Sequence, residues 1–210
     1  MLLRDNVYDS VRADILTCRL APGAELREQE LALRYQVSRA PVRDALLRLE
    51  REKLVTVNPR QGSTVTPISM MDARDLFGLR LVLEPACATE AAENAPSDIL
   101  QTLDRFRHFE PGEDFIDYNR AFHGAIAQAS GNRRMAAVTC ELIDQAERMV
   151  RVSLASIKGR DPTQLVAEHA ELIDAIQRRD GRSAARLLRD HISKAERRVL
   201  AALARSAVVS

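Results

Sequence analysis

Apolar residues recur at helical spacing along most of this chain and at strand spacing over one short stretch. Val7, Tyr8, Val11 and Ile15 form one helical stripe, with Asp5 as its expected N-cap. "LAPG" (20–23) ends it. Gln29 to Tyr35 is a second, shorter helix carrying Leu31, Ala32 and Tyr35. Beyond the tight turn "QVS", Ser38 is placed to cap a third helix. Pro41 sits in its first turn, where a missing N–H costs little. Val42, Ala45, Leu46 and Leu49 then fall at i, i+3, i+4 and i+7, which predicts an inward-facing stripe. Two short β runs follow, "LVTV" (54–57) and "STVTP" (63–67), joined by the turn "NPRQG" (58–62). Three helices and a two-stranded hairpin predict a winged helix-turn-helix.

From Met71 onward the spacing is helical throughout. Leu76, Leu79, Leu83, Ala86 and Ala91 lie near helical spacing on the first segment. Further helices are expected at Pro96–Phe106, Phe115–Ser130, Asn132–Ile157, Thr163–Arg178 and Ser183–Arg205, separated by "EPGED", "KGRDP" and "RRDG". Connections this short make sequential helices antiparallel neighbours. The expected fold is therefore mainly α: a winged helix-turn-helix over 1–68 and an antiparallel all-helical bundle over 72–210. The boundary falls in "TPISMMD" (66–72).

Composition agrees with helix over sheet. There are 8 glycines, aromatics make up 4% of the chain, and 46% apolar with 29% charged residues suits a soluble globular protein. No apolar run approaches the roughly 20 residues of a membrane span. The N-terminus turns polar and acidic at once, unlike a secretory signal. Cys18, Cys87 and Cys140 are dispersed and odd in number, as in reduced thiols of a cytoplasmic protein.

Net charge is +1, so the chain as a whole carries no bias toward nucleic acid. The charge is uneven, however. Residues 34–60 hold seven Lys/Arg against three Asp/Glu. Arg39, Arg43 and, in part, Arg48 are displaced from the apolar stripe of the third helix, toward its N-terminus and outer face. A guanidinium there can reach guanine edges or phosphates, and Arg60 at the hairpin tip can enter the minor groove. The bland alternative is a helix-turn-helix that mediates protein contacts alone.

Three of the four histidines lie on core-facing stripes of separate helices. His123 goes with Ile116, Asn119 and Ile126; His169 with Leu165, Leu172 and Ile176; His191 with Leu187, Leu188, Ala195 and Val199. A lone histidine in such a place is usually a hydrogen-bonded core residue. Three unpaired imidazoles in one core are costly, and a divalent zinc, nickel, iron or manganese ion satisfies all three. Asn119, one turn before His123, aims its oxygen at the same spot. His108 has no special role. Arg80 and Glu84 are an i,i+4 pair, read first as a surface ion pair; the alternative turns Arg80 inward to clamp a carboxylate. Gly-rich phosphate loops, GxSxG and a Cys–His nucleophile pair are absent from the sequence.

"ELALRYQVSRAPVRDALLRLEREKLVTVNPRQGSTV" (30–65) resembles the N-terminal signature of the GntR superfamily of bacterial transcription regulators. "LRLVLE" (79–84), "NRAFHGAIAQASGN" (119–132), "EHAELIDAI" (168–176) and "AARLLRDHI" (184–192) resemble its FadR-like branch, and the six expected bundle helices resemble the VanR-type subgroup. The resemblance implies a homodimeric, ligand-responsive regulator, here taken as a repressor, on a palindromic operator in double-stranded DNA. Its DNA-facing set is Ser38, Arg39, Arg43 and Arg48 from the helix and Arg60, Gln61 and Gly62 from the wing. The family's three metal-binding histidines match His123, His169 and His191, and a small organic acid binds through the metal, with Arg80 as the effector-binding residue. One departure stands out. The fourth metal ligand of the family is usually aspartate and is Asn119 here, a neutral and weaker donor that leaves the site more positive. Two other readings remain: a purely structural metal, or a metal-dependent hydrolase built on the three histidines. The hydrolase needs a base, and Glu168 beside His169 points about 100° away around its helix.

Overall fold

Val42, Ala45, Leu46 and Leu49 are all buried, and they turn α3 (Arg39–Arg51) into the centre of an N-terminal unit. The computed structural model describes residues 3–58, 62–110, 112–155 and 163–209. The chain divides into two compact units, Met1–Ile68 and Ser69–Ser210.

In the first unit, α1 (Leu3–Leu16) and α2 (Glu28–Arg34) pack with α3 over a core of Val11, Ile15, Leu31, Leu49, Leu54 and Val65. α1 already includes Asp5, so Asp5 is not its N-cap. Gln36 takes the left-handed φ of 55° in the turn between α2 and α3. Ser38 has the extended backbone of an N-cap, but its hydroxyl makes no capping bond. The expected hairpin is present as β2 (Val55–Asn58) and β3 (Gly62–Val65), in register Thr56↔Thr64 and Asn58↔Gly62. A third strand, β1 (Glu25–Leu26), pairs antiparallel with the other edge of β3, giving the order β1-β3-β2. Two residues are too few for strand alternation to show in a sequence, so only the pairing reveals β1. Gly62 has φ +93°, a conformation closed to most side chains, at the point where the wing turns back.

The second unit is helical. Among the described residues it holds α4 (Met70–Asn94), α5 (Ser97–Gln101), a 3-10 turn (Thr102–Phe106), α6 (Phe115–Ala129), α7 (Arg133–Ala155), α8 (Thr163–Gln177) and α9 (Gly181–Val209). The segment expected as one helix over 96–106 is thus a short α-helix running into a 3-10 turn. Ser69 caps α4 by accepting from the Asp72 amide (3.0 Å), and Asp114 caps α6 from the Ile116 amide (2.8 Å).

α4 packs against α6, α7, α8 and α9. Its inward stripe differs from the expected one. Ala73, Leu76, Phe77, Arg80, Glu84, Cys87, Ala88 and Ala91 are buried, while Leu79 is 53% and Val82 66% exposed. A count of apolar residues alone picks the wrong face because the true one includes a buried ion pair. Aromatics fill the space beside α8: the Phe122 ring stacks on His169 with centroids 3.8 Å apart and meets Phe106 edge-on at 5.6 Å. Phe122→Ala is expected to destabilise the helical unit by about 3–5 kcal/mol, measured as a lower urea midpoint for that unit's transition.

Candidate metal centre and nucleic-acid interface

The N-terminal residue of α2 and the first turns of α3 form a charged face. Arg39 and Arg43 keep 64% and 60% of their side chains exposed. Ser38 and Gly62 are exposed as well. Glu28 accepts from Arg43 Nε and Nη2, both at 2.8 Å, and from Arg39 Nη2 at 3.4 Å. Arg48 stands apart from this face. Nine residues beyond Arg39 it lies on the other side of α3, its guanidinium 3.7 Å above the Tyr8 ring of α1. Arg12 and Tyr8 both donate to Glu52 nearby. Arg48 is exposed and, over the Tyr8 ring, helps pin α1 to α3. Arg60 and Gln61 fall outside the described residues.

In the helical unit, α6 presents His123, α8 His169 and α9 His191, all buried. Ring centroids are 5.9, 5.3 and 5.0 Å apart, and one ligand atom from each lies within 4.8 Å of the others. Each Nδ1 is held by an acceptor. His123 Nδ1 lies 2.5 Å from Glu84 Oε2, and His191 Nδ1 2.8 Å from Glu168 Oε2. The Tyr118 hydroxyl donates to the Phe106 carbonyl at 2.6 Å, so its oxygen accepts from His169 Nδ1 at 3.2 Å. With the proton on Nδ1, His169 Nε2 carries a bare lone pair, and it is buried without a hydrogen-bond partner. Outer partners of this kind orient metal-bound histidines.

Burial and the two neighbouring rings hold His169 well below the usual imidazole range. Burial pushes His191 down to about 4, against the Glu168 hydrogen bond. Both rings are therefore neutral near pH 7, as metal ligation requires. Burial alone raises Glu84, but Arg80 and His123 outweigh it and hold its carboxyl below the usual range.

Arg80 corrects the surface reading of its pair. Arg80 and Glu84 are only 4% and 2% exposed, joined Nε to Oε1 at 2.5 Å. Arg80, half-buried Asn119, His123 and His191 line one cavity of about 30 Å³. That is room for an ion or a single water, far below the roughly 300–1,000 Å³ of an ordinary ligand pocket. Sequence reasoning missed Glu84, Tyr118 and Glu168 as partners of the histidines. The i,i+4 spacing to Arg80 was the signal for Glu84. Glu168 orients His191 through its Oε2 and accepts from Lys194 at 2.7 Å through its Oε1.

Two family models match. Residues 3–65 match the bacterial regulatory proteins of the gntR family, and residues 75–194 the FCD domain. A winged helix-turn-helix followed by an all-helical sensor-type domain defines a DNA-binding transcriptional regulator. The chain belongs to the GntR family, with an FCD domain in its C-terminal half. The hydrolase reading is set aside, since this is a family of regulators rather than enzymes.

The HTH-type transcriptional repressor RspR of Escherichia coli is 29% identical over 199 residues, covering 91% of this chain and 86% of its own. An HTH-type transcriptional regulator in an unstable DNA locus of Streptomyces ambofaciens is 32% identical over 201 residues, with 90% and 81% covered. Among solved structures, Escherichia coli McbR/YncC has a TM-score of 0.79 at 22% identity, covering 92% of this chain and 95% of that one. A GntR-family regulator from Pseudomonas syringae has a TM-score of 0.60 at 27% identity, covering 99% and 88%. Among the described residues, no helix is long and apolar enough to cross a membrane.

Proposed function

We propose that this regulator is a homodimeric repressor whose hold on a palindromic operator is set by a small carboxylate bound at a divalent metal in the FCD domain. The observation that carries the reading is the buried, partnerless Nε2 of His169, in a cluster where all three Nδ1 atoms are already engaged. His123, His169 and His191 hold the ion, with the Asn119 oxygen as a fourth, neutral donor. Zinc, nickel, iron and manganese all suit imidazole nitrogens. The bound ion supplies a positive centre for an effector's carboxylate, and Arg80 stands at the same cavity to fix its orientation.

Ser38, Arg39, Arg43 and Gly62 form the DNA-contacting surface of the head, and Arg60 and Gln61 belong to its wing. Exposed Leu79 and Val82 on α4, with Val138 on α7 at 49% exposure, support pairing with a second copy. Because the cavity is small, a carboxylate favours an arrangement of the helices in which it is wider. That difference in affinity between two arrangements is what couples effector to operator.

A second reading shares the DNA-binding role but makes the metal structural. The 30 Å³ cavity favours it. One experiment separates the two. The full chain is analysed for metal, then titrated onto a duplex that it has itself selected from a randomised pool, with and without a panel of small carboxylates. Sensing predicts about one metal per chain and one carboxylate that weakens DNA binding about 5- to 150-fold, an effect abolished by chelator. Metal without any carboxylate response establishes the structural reading. A metal-free protein indifferent to carboxylates refutes both.

A further inference from the structure

Glu28 poses a question that DNA binding alone does not answer. It is the first residue of α2, its side chain is 25% exposed, and it sits on the face that carries Arg39 and Arg43. A carboxylate there is repelled by a phosphate backbone. Exposed ion pairs add little stability, so holding the fold together is not a sufficient reason for it.

The geometry supplies one. A guanidinium offers two forks of parallel N–H donors, one along its Nε/Nη2 edge and one across its Nη1/Nη2 end. Glu28 fills the edge fork of Arg43 with two 2.8 Å bonds and adds a 3.4 Å bond from Arg39. Among the described residues the end fork has no partner, on a side chain that is 60% exposed. An open end fork is the donor pattern that matches guanine O6 and N7. Glu28, Arg39 and Arg43 also line a cleft of about 480 Å³ together with Asn58 and Gly62 of the wing strands, so the Arg43 side chain borders the space between recognition helix and wing. The hydrogen bond from Arg43 leads in holding the Glu28 carboxyl below its usual range, which keeps it charged at neutral pH.

We propose that Glu28 is the positioning residue for Arg43: it fixes the guanidinium so that only its end fork meets the base edge, and it cancels one positive charge per head that would otherwise attract any DNA. Glu28 thus lowers affinity for random sequence and raises discrimination. This rests on the reading that Arg43 faces DNA.

The test uses the full chain with two probes, a random-sequence duplex and the duplex selected from a randomised pool. Glu28→Gln is expected to tighten binding to the random duplex about 3- to 10-fold at 0.1 M salt. It should also steepen the salt dependence by about one unit per head. Preference for the selected duplex should fall about 5- to 150-fold for each head engaged, the weight of one bidentate base contact. Glu28→Asp retains the charge but is one methylene too short to fill the edge fork; it should lose preference without gaining affinity for random DNA. It also serves if the glutamine variant fails to fold, as judged by circular dichroism. Unchanged preference in both variants, or equal weakening on both duplexes, overturns the proposal. If Arg43→Ala also leaves the selected duplex bound as before, the failure lies in the DNA-face reading instead.

Discussion

Arg43→Ala weakens binding to the selected duplex by about 1–3 kcal/mol for each recognition helix engaged, roughly 5- to 150-fold. In the proposed dimer, two heads on a two-fold operator double the free energy, a loss on the order of 30-fold to 10⁴-fold. Arg43 is largely exposed and takes no part in the apolar stripe of α3, so folding is unaffected. Gel-shift titration and a melting curve check both halves of the expectation. Unchanged affinity would falsify the assignment of α3 as the recognition helix. The alanine variant also strips Glu28 of its main partner and leaves an unneutralised carboxylate against the phosphates. Part of the measured loss is that repulsion. The double variant Glu28→Gln, Arg43→Ala separates the two, because it removes the repulsion and leaves only the missing contact.

In the proposed metal centre, His169→Ala removes the ligand whose Nε2 is buried without a hydrogen-bond partner. Loss of an outer partner of a metal-bound histidine typically costs about 10- to 100-fold in affinity, and loss of the ligand itself should cost more. With metal at about 100 times its dissociation constant, the parent protein gains roughly 2.7 kcal/mol of stability over its chelated form. The alanine variant should gain none, although its metal-free stability also drops because the ring packs on Phe122. The readout is therefore the metal-dependent difference within each protein, measured by thermal shift and elemental analysis. A parent protein that shows no such difference sinks the metal centre, and equal differences in both proteins sink the role of His169.

Much of the candidate site can be read one helix at a time. The spacing of His123, His169 and His191 against their apolar neighbours puts each ring on an inward face, and each ring is buried. Arg39 and Arg43 lie off the stripe of Val42, Ala45, Leu46 and Leu49, and both are exposed. Arg48 shows what position around a helix leaves out. Position around the helix shows it off the core stripe, but not that α1 brings Tyr8 beneath it. Leu79 and Ala86 are expected in the core because they are apolar; Arg80 and Glu84 take the buried stripe because each neutralises the other's charge there. The two-residue β1 strand leaves no periodic trace and shows only through its hydrogen bonds to β3.

The amino-acid sequence by itself determined a winged helix-turn-helix followed by a helical bundle, the inward face of each histidine and the outward face of two arginines. These follow from local periodicity and capping, which act over a few residues. Only the tertiary structure decided that the three rings converge and that Glu84, Tyr118 and Glu168 orient them. It also decided that the cavity beside them is small and that Glu28 grips Arg43. Those facts depend on how far each helix is rotated and shifted against its neighbours, and packing between segments distant in the chain sets that rotation.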